Sequence, residues 1–131
     1  MTSKRVLIAE DHRDGAESLR HLLEAWGHQA DVTNDGASAV ERAAIFRPEV
    51  VILDINMPVL NGYQAARLLK VADDRVLLIA MTGAPSVETR GRAREAGFHH
   101  HYIKPIDLDE LKELLDKDSL DHLLPEFRLP D

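Results

Sequence analysis

Four apolar runs in this chain each stop at a residue able to do chemistry. Arg5-Val6-Leu7-Ile8-Ala9 stops at Glu10-Asp11, and Val50-Val51-Ile52-Leu53 stops at Asp54, followed by Ile55-Asn56-Met57-Pro58. Val76-Leu77-Leu78-Ile79-Ala80 ends just before Thr82, and His101-Tyr102-Ile103 runs into Lys104-Pro105. If these stops meet, three carboxylates, a hydroxyl and an ammonium share one point. Carboxylates so close repel, and at least one pKa must rise unless a cation joins them. Mg²⁺ suits such a set, because it takes carboxylate and carbonyl oxygens, keeps several waters and binds phosphate as well. On that reading Asp11 and Asp54 are direct ligands, the longer Glu10 acts directly or through water, and the backbone carbonyl of Asn56 adds a further ligand. Lys104 brings a second positive charge. Together the metal and the lysine could neutralise an incoming phosphoryl group while Asp54 attacks phosphorus, a catalysis of positioning and electrostatics. The Thr82 hydroxyl could donate to a phosphoryl oxygen. Each residue alone has an ordinary reading as a cap or a strand end; the coincidence of four strand ends carries the chemical one.

Such a meeting requires a parallel sheet. The runs at 5–9, 50–53 and 76–80 are continuous rather than alternating, which fits strands covered on both faces. Gln29-Ala30-Asp31-Val32 reads as a weaker strand near an edge. Helical periods lie between the strands. Ala16, Leu19, Leu23 and Trp26 share one side of a helix, with Asp14 and Glu17 as its expected cap and Gly27 as its stop. Residues 37–46 predict a second helix with Val40, Ala43, Ala44 and Phe46 inward, halted by Pro48. Further helices are expected over 63–71, over 86–96 despite Gly91 (which costs about 1 kcal/mol against Ala), and over 107–116. The last has Asp107 as cap with Glu110, and Leu108, Leu111 and Leu115 as its face. Five βα units with right-handed crossovers predict an α/β fold: a doubly wound, five-stranded parallel sheet in a flavodoxin-like three-layer sandwich. The expected strand order, 2-1-3-4-5, sets strands 1 and 3 side by side and gathers Glu10, Asp11 and Asp54 where such sheets bind ligands. A cis peptide is expected at Lys104-Pro105.

Composition narrows the classes. A length of 131 residues suits one domain. The formal charge of -7 lacks the basic footprint of a nucleic-acid binder. There is no cysteine, so disulfides and thiolate chemistry are excluded. No apolar stretch reaches the length of a membrane span, and no signal peptide is visible, so a cytoplasmic location is expected.

The ordered set Glu10-Asp11, Asp54-x-x-Met57-Pro58-x-x-x-Gly62, Thr82 and Lys104-Pro105 resembles the receiver domain of bacterial two-component response regulators, over roughly residues 4–117. The chain thus looks chemotaxis-regulator-like. The resemblance implies Mg²⁺ at the acid pair, and phosphorylation of Asp54 by phosphohistidine on a histidine kinase or histidine phosphotransfer protein. It implies contacts from Thr82 and Lys104 to the phosphoryl group, and Tyr102 as an aromatic switch that turns inward with Thr82. Signalling would follow through protein contacts at the face of the fourth helix, fifth strand and fifth helix, and a phosphorylation-dependent homodimer through that face stays open. Finer stretches, Arg13 to Leu19 and Ala96 to Pro105 among them, resemble receivers of hybrid sensor histidine kinases. Ala84 stands where fast self-dephosphorylating members tend to carry a polar or acidic residue, so slow-to-moderate phosphate loss is expected.

Three alternatives stay open at this point. The chain could be a binding module that signals without phosphorylation, an aspartate-nucleophile phosphatase, or a switch limited to its own phosphorylation and hydrolysis. The phosphatase usually carries an acid where Asn56 stands. Dehydrogenases and phosphate-loop nucleotidases are excluded by the absence of their glycine-rich turns. The run His99-His100-His101 does not predict a metal site, since adjacent side chains of an extended segment point to opposite faces. The domain is expected to span 1–117, with 118–131 a tail or linker.

Overall fold

The computed structural model describes residues 3–83 and 86–116. The expectations placed on Ala84 and on the tail lie outside the described residues.

Five strands and five helices alternate: β1 Arg5–Ala9, α1 Arg13–Ala25, β2 Gln29–Thr33, α2 Gly36–Phe46, β3 Val50–Asp54, α3 Gly62–Ala72, β4 Leu77–Thr82, α4 Val87–Ala96, β5 His100–Ile103 and α5 Leu108–Asp116. The strands form one sheet in the order β2-β1-β3-β4-β5, and every pairing is parallel. This is the expected doubly wound α/β order, with the weaker β2 at an edge.

Strand alternation divides the core in two. Leu7, Ala9, Val51, Leu53, Leu78 and Ala80 face one side, where Ala39 of α2, Ala65, Ala66 and Leu69 of α3, and Ala93 and Ala96 of α4 cover them. Val6, Ile8, Val50, Ile52, Leu77 and Ile79 face the other, against Ala16 and Leu23 of α1 and Leu111 and Leu115 of α5. The three central strands are buried on both faces, which is why their sequences read as unbroken apolar runs. Each fully buried Leu or Ile there contributes about 2 kcal/mol over an exposed one.

Local chemistry sets the helix ends. Asp35 caps α2 through Ser38 N–H at 2.7 Å, and Asn61 and Ser86 cap α3 and α4 with reciprocal capping boxes. Asp107 Oδ1 accepts from Asp109 and Glu110 N–H, capping α5 as expected. Gly27 follows α1 at φ 95°, a conformation natural to glycine. Three expectations need correction. Asp14 does not cap α1; the helix begins at Arg13 behind His12, so Asp14 sits in its first turn, and Glu17 pairs with Arg20. Ala44 is exposed, and the inward stripe of α2 runs through Ala39, Ala43 and Phe46 with Val40 beside it, at spacings of four and three that leave Ala44 on the outer side. Leu108 is exposed, and the buried stripe of α5 is Leu111 and Leu115 with Leu114 beside it.

Candidate functional site

Every strand of the sheet ends on the same edge, and the register brings the ends of the central strands together. Ile8 pairs with Ile52 and Ala9 with Leu53, so Glu10 and Asp54 are the next residues out on neighbouring strands. Asp54 pairs with Met81, placing Thr82 one step further along β4. Thr82 pairs with Ile103, and Lys104 N–H donates to Thr82 O at 2.8 Å. The Lys104-Pro105 peptide is cis.

Glu10, Asp11 and Asp54 each offer an oxygen within 4.8 Å of the others. Glu10 and Asp54 are buried, while Asp11 is exposed at the mouth. Lys104 Nζ lies between the buried pair, 2.6 Å from Glu10 Oε1 and 2.9 Å from Asp54 Oδ2. Backbone amides hold the other oxygens: His12 N–H donates to Glu10 Oε2 at 3.2 Å, and Asn56 N–H to Asp54 Oδ1 at 3.1 Å. Asn56 itself is exposed. Thr82 is fully buried. Tyr102 is half-buried against the α1/α5 side of the core.

The electrostatics follow from crowding. Burial, then the Asp54 carboxyl beside it, pushes Glu10 up to about 7 against the pull of Lys104. Burial draws the Lys104 ammonium down, but its bonds to Glu10 and Asp54 outweigh that and hold its pKa above the ordinary value. Burial also lifts the Tyr102 phenol to about 12, so its hydroxyl stays protonated. One ammonium thus serves two buried acids, with a third at the rim. That oxygen-only donor set, with three carboxyl groups around a single ammonium, fits a hard divalent cation of the Mg²⁺ kind.

Two features escaped the sequence reading. Asn34 Nδ2 donates to Glu10 O at 3.0 Å, and Glu10 N–H donates to Thr33 O at 3.0 Å. Asn34 follows the end of β2, so the rule that found the other strand ends would have found it too. The steric role of Gly62, a residue already named in the ordered motif, is the second. A Cβ there would lie 2.6 Å from Asp54 O and 2.7 Å from Ile55 Cα, so glycine alone lets α3 start against the backbone that carries Asp54. The loop between β3 and α3 has its own constraint. Leu60 N–H donates to Pro58 O at 2.8 Å around Val59, a three-residue turn whose centre has φ 70°. Val59 is β-branched and 84% exposed, an unusual residue for left-handed backbone.

The histidine run is dispersed. His99 Nδ1 accepts from Leu78 N–H at 3.1 Å, His100 stacks on Tyr102, and His101 is buried with neither ring nitrogen bonded among the described residues.

Comparison with known proteins agrees with this architecture. The family described as response regulator receiver domain matches residues 6–116. Transcriptional regulatory protein PrrA of Mycobacterium tuberculosis is 37% identical over 111 residues, covering 85% of this chain and 48% of PrrA. Response regulator MprA of Mycobacterium leprae is 36% identical over 107 residues, 82% of this chain and 47% of MprA. The chain spans about half the length of the curated relatives it matches. Among solved structures, the receiver domain of sensor histidine kinase PA1611 from Pseudomonas aeruginosa aligns with a TM-score of 0.78 at 28% identity, covering 87% of this chain and 95% of that one. Its structure holds a magnesium ion coordinated in the active-site cleft. Chemotaxis protein CheY4 of Vibrio cholerae, at 23% identity and a TM-score of 0.81 over 87% of this chain and 97% of that one, shares the fold.

Proposed function

The chain belongs to the response regulator receiver domain family, and from that premise we propose that it is a switch activated by phosphorylation of Asp54. The donor is a phosphohistidine on a histidine kinase or phosphotransfer protein. One observation carries the reading: Glu10, Asp11 and Asp54 converge within 4.8 Å, with Lys104 bonded to both buried acids.

Asp54 is the nucleophile. Its carboxylate forms the oxygen–phosphorus bond as the bond from phosphorus to the donor imidazole breaks. The Asn56 amide fixes one of its oxygens and leaves the other on Lys104. Lys104 is positioned to follow the charge from carboxylate to phosphoryl oxygen, which costs little reorganisation. Asp11, Asp54, the Asn56 carbonyl and Glu10, directly or through water, would hold Mg²⁺. When bound, the ion would supply positive charge to the phosphoryl oxygens. The magnesium found in the PA1611 receiver supports this assignment.

Thr82 hydrogen-bonds the phosphoryl group, and its backbone bond to Lys104 ties that movement to β5 and Tyr102. The face of α4, β5 and α5 then changes and binds the downstream protein or a second copy of the chain. The expectation of no nucleic-acid contact concerns this stretch alone, since a relative called a transcriptional regulatory protein is about twice its length. A module that signals without phosphorylation is the weaker reading, because such a chain has no reason to keep two buried acids around one lysine. Incubation with Mg²⁺ and acetyl phosphate should add one acid-labile phosphoryl group, read by intact mass. Asp54→Asn should abolish it; a phosphoryl group retained in that variant would refute the assignment.

A further inference from the structure

β1 lies between β2 and β3, so the Glu10-Asp11 pair at its end is flanked on two sides. On the β3 side stands Asp54, with Lys104 bonded to both Glu10 and Asp54. On the β2 side the strand ends at Thr33, whose carbonyl accepts the Glu10 N–H at 3.0 Å. Asp35 already caps α2, where its carboxylate takes the Ser38 N–H and hydroxyl. Asn34, the residue between, is partly buried and donates from Nδ2 to Glu10 O at 3.0 Å. A side-chain amide offers the same N–H donor as a peptide. Asn34 thus adds one bond between β1 and β2 after the β2 backbone has left the sheet.

That bond falls on a critical peptide. Glu10 O and Asp11 N belong to one planar unit. With the Glu10 N–H on Thr33 and the Glu10 carbonyl on Asn34, both peptides around the Glu10 Cα are fixed. The carboxylates of Glu10 and Asp54 also have partners of their own, in Lys104 and in the His12 and Asn56 amides. Asp11 differs. It is exposed, and among the described residues no hydrogen bond or ion pair holds its side chain. Its place beside the other two acids depends on the backbone that carries it.

We propose that Asn34 is a positioning residue for the cation site: its amide holds the Glu10-Asp11 peptide and thereby sets the affinity of the acid cluster for Mg²⁺. The proposal rests on the reading of that cluster as a Mg²⁺-dependent phosphoryl acceptor. Asn34 bonds a backbone oxygen rather than a carboxylate, so it acts through Glu10 and Asp11. Without it, ordering the pair falls to the ion, and the cost enters the binding constant. Outer bonds of this kind change metal affinity by about 10- to 100-fold. Asp54 and Lys104 are positioned by β3, β5 and the Asn56 amide, so the attack on phosphorus is affected less than the Mg²⁺ requirement.

The test is calorimetric titration of the full chain with Mg²⁺ near pH 7. Asn34→Ala should weaken binding about tenfold. Thr33→Val removes the neighbouring hydroxyl bond to Ile8 O, 3.3 Å long, without changing the side-chain shape, and should leave the Mg²⁺ affinity as it was. In acetyl phosphate incorporation, the Asn34→Ala defect should lie in the half-saturating Mg²⁺ concentration rather than in the maximal rate. If Asn34→Ala does not fold, nitrogen NMR of the unaltered chain replaces it: the Asn34 side-chain amide should shift during the Mg²⁺ titration with the calorimetric midpoint, and an unmoved amide would overturn the proposal. Equal affinities of Asn34→Ala and the unaltered chain, or the same weakening in Thr33→Val, would overturn it and leave the cation site standing. An unaltered chain that binds no Mg²⁺ would remove the proposal together with the reading beneath it.

Discussion

The two edges of the sheet use the same device to opposite effect. At the amino edge, polar side chains complete the strands. His28 Nδ1 accepts the Lys4 N–H, His99 Nδ1 accepts the Leu78 N–H, and Lys4 Nζ reaches Leu115 O at 2.7 Å to tie α5 to β1. At the carboxyl edge, Glu10, Asp11 and Asp54 leave more negative charge than Lys104 can balance. One edge locks the layers together; the other keeps an excess of negative charge. The contrast teaches that strand-end polarity alone does not mark a functional site, and that crowded, perturbed charge is the better sign.

The comparison can be broken most forcefully at Gly62. Gly62→Ala drives a Cβ into the Asp54 carbonyl and should lower unfolding free energy by about 2–3 kcal/mol, measured by urea denaturation, with a matching loss of phosphoryl acceptance. An unchanged midpoint would mean that α3 can step back from Asp54.

The next largest effect tests the excess charge. Glu10 has a folded pKa of about 7, above its ordinary 4.5. The folded state therefore keeps the proton longer than the unfolded one. Stability from this group is full below pH 4.5 and lost as pH rises through about 7. Without Mg²⁺, Glu10→Gln should raise stability at pH 8 by on the order of 1–2 kcal/mol. Added Mg²⁺ should stabilise the unaltered chain more than the variant.

At the amino edge the sign reverses. Burial, aided by the Lys4 charge, lowers the His28 pKa from 6.5. Its contribution is full above pH 6.5 and lost as pH falls through the folded value. His28→Ala leaves the Lys4 N–H without its acceptor and should cost about 1 kcal/mol, insensitive to Mg²⁺. A magnesium-dependent loss would erase the distinction between the edges. The smallest effect belongs to Asp107→Ala, which removes the α5 cap for about 0.5–1 kcal/mol by thermal melting, and lies outside both networks.

Much of this was readable from residue order. Unbroken apolar runs announced β1, β3 and β4, and their polar ends announced Glu10, Asp54 and Thr82, because a parallel sheet places all its carboxyl ends on one edge. Helix starts were harder. Asp14 and Asp35 are both acids near a helix start, yet only Asp35 caps, because the cap belongs to the residue whose backbone is still extended and local spacing leaves that choice to the preceding loop. Leu108 looks apolar enough for the core but lies on the first turn of α5, beyond the reach of the sheet. The contact of Lys70 Nζ with His99 was invisible, since it joins residues 29 positions apart at the edge away from the acids.

The left-handed turn at Val59 has a bearing on engineering. A β-branched residue in that conformation stores roughly 1–3 kcal/mol of strain, so the rim of the acid cluster is not shaped by its own tip. Its shape is imposed from its ends, by Met57 sunk in the core and by Leu60 against Gly36, where even one added carbon would lie 1.9 Å from the Leu60 oxygen. Anyone wishing to stiffen or loosen this rim would therefore redesign those anchors, and could leave Val59 as a gauge of how tightly they grip.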